Sequence, residues 1–145
     1  MSTVIMTKGL PASGKSTWAK EWISEKRGRV RINRDDLRMM MQGTTKMEQG
    51  QSCEALVLAA SLNILRNALI LGRDVVCDNT NLNPQTVKRF TEVCEEMGAR
   101  VEWKVFNTSM EECIRRDSQR ENPVGAEAIQ TMWKKHQKEL ASPMK

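Results

Sequence analysis

The stretch Lys8–Thr17, KGLPASGKST, places a lysine and two hydroxyl side chains directly after two spaced glycines, and it follows the apolar run Thr3–Met6. Gly-x4-Gly-Lys-Ser between a predicted strand and a predicted helix is the pattern of a phosphate-binding loop. Its backbone N–H groups and the helix N-terminus hold nucleotide phosphates, the lysine neutralises the β and γ oxygens, and the serine hydroxyl binds Mg²⁺. The alternative is a glycine-rich turn without a ligand, but a chance match in this chain has a frequency of about 1%. The predicted ATP-binding set is Gly9, Ala12, Ser13, Gly14, Lys15, Ser16 and Thr17, with Lys15 also catalytic and Ser16 also a metal ligand.

A second group of reactive side chains lies in INRDDLR, residues 32–38, at the end of the second predicted strand. Ligands of open α/β sheets bind at that end of the strands. Asp35 and Arg38 are three positions apart, so on a helix they share a face and can hold a hydroxyl and a neighbouring phosphate. The alternative is structural, because acids in the first turn of a helix are stabilised by its dipole. A kinase needs such a second site, and the guanine-reading Asn-Lys-x-Asp of GTPases is absent from the sequence.

A third group, Asp78-Asn79-Thr80-Asn81, follows the third predicted strand. An acid beside the phosphate-binding loop can accept a hydrogen bond from Ser16 or from a Mg²⁺-bound water. Asp78 is therefore predicted to bind the metal through water, and Asn81 to help position the acceptor. A cap and turn before the helix that starts at Asn83-Pro84 is the alternative for this segment.

These groups depend on alternating strands and helices for their positions. Strands are predicted over Thr3–Thr7, Arg29–Ile32, Asp74–Asp78 and Arg100–Phe106. Helices are predicted over Ser16–Lys26, from near Arg34 through Leu37–Met41, over Ser52–Leu71, from Pro84 to Gly98, from Ser109 to about Gln119 and over Gly125–Leu140. The alternation predicts an α/β fold with a roughly four-stranded parallel sheet and helices on both faces. We expect a mobile loop over Gln42–Gln51 and fraying of the last residues, ASPMK.

The composition predicts one soluble domain over residues 1–145, with 39% hydrophobic and 28% charged residues. No apolar run reaches the roughly 18 residues of a membrane span, and no export signal is recognisable, so a cytoplasmic protein without membrane association is expected. The four cysteines lie far apart and there is one histidine, which argues against a zinc site. The net charge of +5 favours a polyanionic partner without proving one.

Four segments, GLPASGKSTWAKEWI, INRDDLR, DNTNLNP and VEWKVFN, resemble those of the bacteriophage-type polynucleotide 5′-hydroxyl kinases, and the resemblance extends to about Arg120. It implies a P-loop kinase fold and transfer of the γ-phosphate of ATP, with Mg²⁺, to the 5′-hydroxyl end of DNA or RNA in end healing. It assigns Asp35 as the general base, with Asp36 or a purely structural role of Asp35 as the alternatives, and Arg38 to the phosphate on the 3′ side of the terminal nucleoside. The family varies in whether its acid falls at the position of Asp78 or of Asn79.

Arg116 and Arg120, four positions apart, resemble the family's lid over the nucleotide phosphates. On one helix they would share a face, with Arg120 catalytic, and a solvated basic face is the alternative. The D-x-D-G-T signature of a 3′-phosphatase is absent, so a stand-alone kinase is expected, with a separate phosphatase or ligase as partner and the host cytoplasm as location if phage-encoded. A small-metabolite kinase and an ATP-responsive nucleic-acid-binding protein stay open as alternatives. The preference for DNA or RNA, the type of end, the base and the oligomeric state are left open.

Overall fold

The computed structural model describes residues 1–43 and 52–141. Within these ranges the strands are β1 Thr3–Lys8, β2 Val30–Ile32, β3 Val75–Cys77 and β4 Arg100–Val105. The helices are α1 Lys15–Ser24, α2 Arg34–Gln42, α3 Ser52–Ile70, α4 Pro84–Glu96, α5 Met110–Asp117, α6 Ala126–Lys135 and α7 Gln137–Ala141. All pairings between the four strands are parallel, and the predicted α/β fold is confirmed.

The strand order β2-β3-β1-β4 decides which loops lie together. β1 is central, with Met6 opposite Cys77 on one side and Trp103 on the other. Because the strands are parallel, the carboxyl ends of β1, β2 and β3 lie at one edge of the sheet. The segments that begin at Gly9, Asn33 and Asp78 therefore start side by side.

Helices cover both faces of the sheet. On one face α3 and α4 pack against the strands through a cluster that includes Leu65, Phe90 and Met6, all buried. On the other face α1 packs through Ala19 against Val76, with its tryptophans half-buried beside them. This two-sided burial explains the consecutive apolar residues of β1 (residues 4–6) and of β3 (Val75–Cys77).

A smaller cluster lies where the sheet meets the last helices. Leu10 of the loop after β1 and Leu82 pack against Cys113 of α5 and Ile129 of α6. The cluster fixes α5 and α6 against the carboxyl edge of the sheet.

Helix α3 corrects the expectation that no apolar segment of the chain reaches the length of a membrane span. The window Cys53–Ile70 has a mean hydropathy of 1.4 and is long and apolar enough for a membrane span by length and composition. A core helix passes the same test; 33% of this window is buried in the fold, including Val57, Leu62 and Leu65.

The C-terminal helices also differ from the prediction. The predicted helix Gly125–Leu140 is two helices, because the chain leaves helical geometry at His136 (φ −116°, ψ 28°). The ring Nδ1 of His136 lies 2.9 Å from Glu139 Oε1, in the first turn of the new helix. Of the predicted loop Gln42–Gln51, Gln42 ends α2 and Gly43 caps it, while residues 44–51 lie outside the described ranges, as do residues 142–145 at the end of the chain.

Candidate active site

The loop between β1 and α1 has the backbone geometry of a phosphate cradle. Ala12 (φ 65°) and Gly14 (φ 106°) both adopt positive φ, which turns successive N–H groups toward a common centre. A Cβ at Gly9 would lie 2.7 Å from Ser13 Oγ and 3.0 Å from the carbonyl oxygen of Phe106, so this close approach requires glycine. Thr108 Oγ1 donates to the carbonyl of Ser13 over 2.9 Å and holds the loop from outside.

Lys15, the first residue of α1, has its side chain inside this cradle. Its Nζ donates to the carbonyls of Gly9 (3.0 Å) and Leu10 (2.6 Å) and to Ser13 Oγ (3.3 Å), and the residue is 7% exposed. Burial lowers the pKa of Lys15 to about 8, although the Asp78 carboxylate opposes the shift. The loop thus holds a cation whose present acceptors are its own carbonyls.

Asp78 lies at the end of β3 and is fully buried. Its Oδ2 accepts hydrogen bonds from Ser16 Oγ (2.9 Å), from Arg31 Nε (2.8 Å) and from Asn33 Nδ2 (3.3 Å). Within the described ranges its Oδ1 has no hydrogen-bond partner. Mg²⁺ takes hydroxyl and carboxylate oxygens and commonly keeps several waters. A free buried carboxylate oxygen beside the Ser16 hydroxyl therefore fits the predicted metal, and Asp78 rather than Asn79 contacts Ser16.

Asn79 and Asn81 have other contacts. Asn79 Oδ1 accepts from the backbone N–H of Arg34 over 3.0 Å and so fixes the start of α2. Asn81 is 3% exposed at φ 50°, and its Nδ2 donates to the carbonyls of Thr7 (2.6 Å) and Cys77 (3.1 Å). Its amide nitrogen therefore ties β1 to β3. Its Oδ1, which has no hydrogen-bond partner among the described residues, is the atom left to contact the substrate that receives the phosphate.

The predicted acceptor pair forms in the first turn of α2. Arg38 Nη1 lies 2.5 Å from Asp35 Oδ1, as the spacing of the two residues predicts. Arg38 also donates from Nε to Glu54 Oε2 over 2.7 Å and from Nη2 to Glu54 Oε1. This pairing with Arg38 lowers the pKa of Glu54, the first acidic residue of α3.

The two adjacent acids of α2 have different partners. Asp36 pairs with Arg31 over 2.6 Å, and its backbone N–H is capped by Asn33 Oδ1 over 2.8 Å. Asp35 is bonded to Arg38 alone among the described residues and is exposed. Both carboxylates are exposed, 53% for Asp35 and 63% for Asp36, so it is their partners that distinguish them: Asp36 pairs with Arg31 and Asp35 with Arg38.

Hydrogen bonds join the phosphate-binding loop to the start of α2. The Asn33 side chain donates to the carbonyl of Asp78 over 2.7 Å, the backbone N–H of Arg34 donates to Asn79 Oδ1, and Asp78 itself accepts from Ser16. The first turn of α2, which carries Asp35 and Arg38, therefore lies beside the end of β3 and the start of α1. On the other side, Leu10 of the loop packs with Cys113 of α5, the helix that leads into the turn with Arg120.

The predicted common face for Arg116 and Arg120 is wrong, because α5 ends at Asp117. The buried Asp117 carboxylate accepts the backbone N–H groups of Val124 (3.0 Å) and Gly125 (2.8 Å), so the chain turns after the helix. Arg120 lies in that turn, 3.3 Å from Asp117 Oδ1, while Arg116 pairs with Glu112 over 3.2 Å.

Fold and site together define a P-loop protein with a second, Asp-Arg site beside the nucleotide cradle. The family described as an AAA domain matches residues 4–141, and the chain belongs to that family.

The relatives are consistent with the resemblance found in the sequence. A protein of Autographa californica nuclear polyhedrosis virus, described as a bifunctional polynucleotide kinase/RNA ligase, is 29% identical over 140 residues, or 88% of this chain and 20% of that protein. In the solved structure of the Pnkp1/Rnl/Hen1 RNA repair complex, one chain matches with a TM-score of 0.80 and 25% identity over 99% of this chain and 48% of its own length. The Mycobacterium tuberculosis APS kinase CysC, solved with AMPPNP and APS, matches with a TM-score of 0.61 and 18% identity over 81% of this chain and 69% of its own, and shows the fold alone. The resemblance to polynucleotide kinase domains is confirmed, and the chain spans a fifth to a half of those relatives' lengths.

Proposed function

We propose that the chain transfers the γ-phosphate of ATP to the 5′-hydroxyl end of DNA or RNA. The observation that carries the proposal is the Asp35–Arg38 pair at the start of α2, which hydrogen bonds join to Asp78 and Asn79 at the end of β3, beside the phosphate-binding loop. A carboxylate can take the proton of a hydroxyl, and a guanidinium forks onto a phosphate. The names of the similar proteins, a polynucleotide kinase/RNA ligase and an RNA repair complex, support a nucleic-acid end as acceptor and a ligase as a partner.

The residues on the donor side bind and neutralise the triphosphate. The N–H groups of the loop and the Lys15 ammonium bind the β and γ phosphates once Nζ leaves the carbonyls of Gly9 and Leu10. Ser16 and, through water, Asp78 would hold Mg²⁺, which supplies charge neutralisation at the β and γ oxygens. Arg120 and Arg116 reach the transferring group from the turn and the end of α5.

The residues on the acceptor side prepare the nucleophile. Arg38 binds the phosphate on the 3′ side of the terminal nucleoside and exchanges its contact with Asp35 for that phosphate. Asp35 is then free to accept the proton of the 5′-hydroxyl. A bond forms between the 5′-oxygen and the γ-phosphorus while the bond between the γ-phosphorus and the β-phosphate oxygen breaks. ADP leaves, and the proton of the 5′-hydroxyl resides on Asp35.

The direct test is transfer from γ-labelled ATP, with Mg²⁺, to DNA and RNA oligonucleotides of one sequence with 5′-hydroxyl ends, and to a nucleoside 3′-monophosphate as minimal acceptor. Asp35→Asn should lower kcat by about 10²- to 10⁴-fold, the usual contribution of a general base, and leave ATP affinity unchanged. Asp36→Asn is the matched control, because it makes the same change at the neighbouring acid, and it should retain transfer.

Salt separates a polynucleotide from a small metabolite as acceptor. The KM for an oligonucleotide should rise steeply with ionic strength, because each phosphate contact displaces counterions. Label on none of the acceptors would overturn the proposal and favour a small-metabolite kinase. Equal loss of transfer in Asp35→Asn and Asp36→Asn would contradict the assignment of Asp35 as the general base.

A further inference from the structure

The hydrogen bonds to Asp78 are concentrated on one of its two oxygens. Oδ2 accepts hydrogen bonds from Ser16, from Asn33 and from Nε of Arg31, and Nη2 of Arg31 lies 2.8 Å from the same oxygen in a salt bridge. Oδ1 has no partner within residues 1–43 and 52–141. Because a buried carboxylate oxygen without a hydrogen-bond partner is unfavourable, the uneven distribution of donors between Oδ1 and Oδ2 calls for an explanation.

Arg31 supplies the positive charge in this arrangement. Its side chain is 13% exposed, and in the part of the chain that is described it is the cation that forms a salt bridge with Asp78. The other donors to Oδ2, the Ser16 hydroxyl and the Asn33 amide, are neutral. The remaining nitrogen, Nη1, pairs with Asp36, whose side chain is 63% exposed. The buried end of the guanidinium therefore serves Asp78, and its outer end reaches the surface.

The Ser16 contact extends the chain of bonds to the metal side. A hydroxyl that donates its hydrogen to a carboxylate keeps its lone pairs free for a cation. With Oδ2 saturated by Arg31, the carboxylate has a fixed orientation in which Oδ1 is the acceptor left for a metal-bound water. Without Arg31, the donors left on Oδ2 are the neutral Asn33 amide, at 3.3 Å, and the Ser16 hydroxyl, so the carboxylate loses the cation and the shortest bond that hold its orientation.

We propose that Arg31 is a positioning residue for Mg²⁺: it fixes the Asp78 carboxylate, and through it the Ser16 hydroxyl, in the orientation that binds the metal. The inference rests on the proposed function, which assigns Ser16 and Asp78 to Mg²⁺. Residues that orient metal ligands typically change metal affinity about 10- to 100-fold when they are replaced.

The test measures Mg²⁺ binding without turnover. The thermal stabilisation of the protein by ADP is titrated with Mg²⁺ for the wild type and for Arg31→Met. Stabilisation by ADP without Mg²⁺ should be unchanged, and the half-saturating Mg²⁺ concentration should rise by about 10-fold or more. Arg31→Lys, which keeps a cation, should give an intermediate value. Asp36→Asn, which removes the outer partner of Arg31, and Arg66→Met, which removes an exposed arginine paired with Glu96, should match the wild type.

A double variant separates positioning from general destabilisation. If Arg31 acts through Asp78, Arg31→Met should have no further effect on Mg²⁺ in an Asp78→Asn background. Should Arg31→Met prove too unstable, Arg31→Gln, which keeps a donor without the charge, carries the same comparison. An unchanged half-saturating Mg²⁺ concentration in Arg31→Met, or an equal weakening of ADP binding with and without Mg²⁺, would overturn the inference. If the wild type shows neither Mg²⁺-dependent stabilisation by ADP nor phosphate transfer, it is the proposed function that fails.

Discussion

The buried ammonium of Lys15 should make the stability of the nucleotide-free protein depend on pH. Burial lowers the pKa of Lys15 from 10.5 to about 8 in the folded protein. Between those two pH values the unfolded chain still holds the proton that the folded chain has lost. The unfolded state then binds more protons, so the free energy of unfolding rises with pH through this window. Below pH 8 the full cost of burying the charge is present.

The size of the effect follows from the pKa difference. The fall in the pKa from 10.5 to about 8 corresponds to about 3–4 kcal/mol, at roughly 1.4 kcal/mol per pH unit. Of this, about 2–3 kcal/mol should be recovered between pH 7 and pH 10, since most of the titration lies in that range. Lys15 is 7% exposed, so solvent screening reduces this figure little.

The measurement is urea denaturation of the wild type and of Lys15→Met at pH 7, 8, 9 and 10 without nucleotide. The wild type should gain about 2–3 kcal/mol relative to the variant across the series. Burial also raises the pKa of the Cys94 thiol to about 11, but both proteins share this titration and the comparison cancels it. Parallel curves for the two proteins would refute the reasoning, because they would mean that Lys15 keeps its ordinary affinity for the proton when folded.

Two further substitutions test the supports of the site. Asp117→Ala leaves the N–H groups of Val124 and Gly125 without their acceptor and should lower the free energy of unfolding, measured with urea, by about 2–4 kcal/mol. Asp117→Asn keeps one acceptor oxygen and should lower it by less. Equal unfolding free energies for the two variants would contradict this account of the turn. Asn81→Ala removes two hydrogen bonds to strand carbonyls at a positive φ and should cost about 2 kcal/mol or more, and Asn81→Gly less, because glycine accepts that φ. If Asn81→Ala instead raises the KM for the oligonucleotide at unchanged stability, its predicted contact with the acceptor is favoured over the structural role.

Signals within one segment predicted the fold well. The Asn83-Pro84 pair predicted the start of α4, and Asn83 Oδ1 accepts from the N–H groups of Gln85 and Thr86. Each of the four strands begins and ends within one residue of its prediction, because short apolar runs between turn residues leave little choice. The cradle of residues 9–14 was predictable for the same reason, since its geometry depends on residues adjacent in the chain.

Contacts between elements were harder to predict. Glu54 meets Arg38 across 16 positions, and nothing in either segment indicates the other. The common helix face of Arg116 and Arg120 was mispredicted for a related reason: their spacing suits a helix, but the buried Asp117 bonds to residues seven and eight positions later, where the chain turns. In both cases a tertiary contact decided what local spacing left open.

The alternation of side chains in the sheet explains why Asp78, and not Asn79, contacts Ser16. Side chains alternate between the two faces along a strand. Val76 packs on the face that α1 covers, and Cys77 packs on the opposite face with α3 and α4. Two residues after Val76, Asp78 returns to the face of α1, whose Ser16 it binds.

The same alternation explains Arg31. In β2, Val30 and Ile32 pack with the cluster under α3 and α4, and Arg31 lies opposite Val76 in the register. Arg31 therefore faces α1 too, in a strand whose other two residues are apolar. Arg31 lies on the same face of the sheet as Asp78, the acid at the end of the adjacent strand. The strand order and the two-residue alternation of side chains are enough to predict that these two residues pair. The strand order itself could not be predicted from the sequence, because α2 and α3 separate β2 from β3 in the chain and the two strands become neighbours only in the folded sheet.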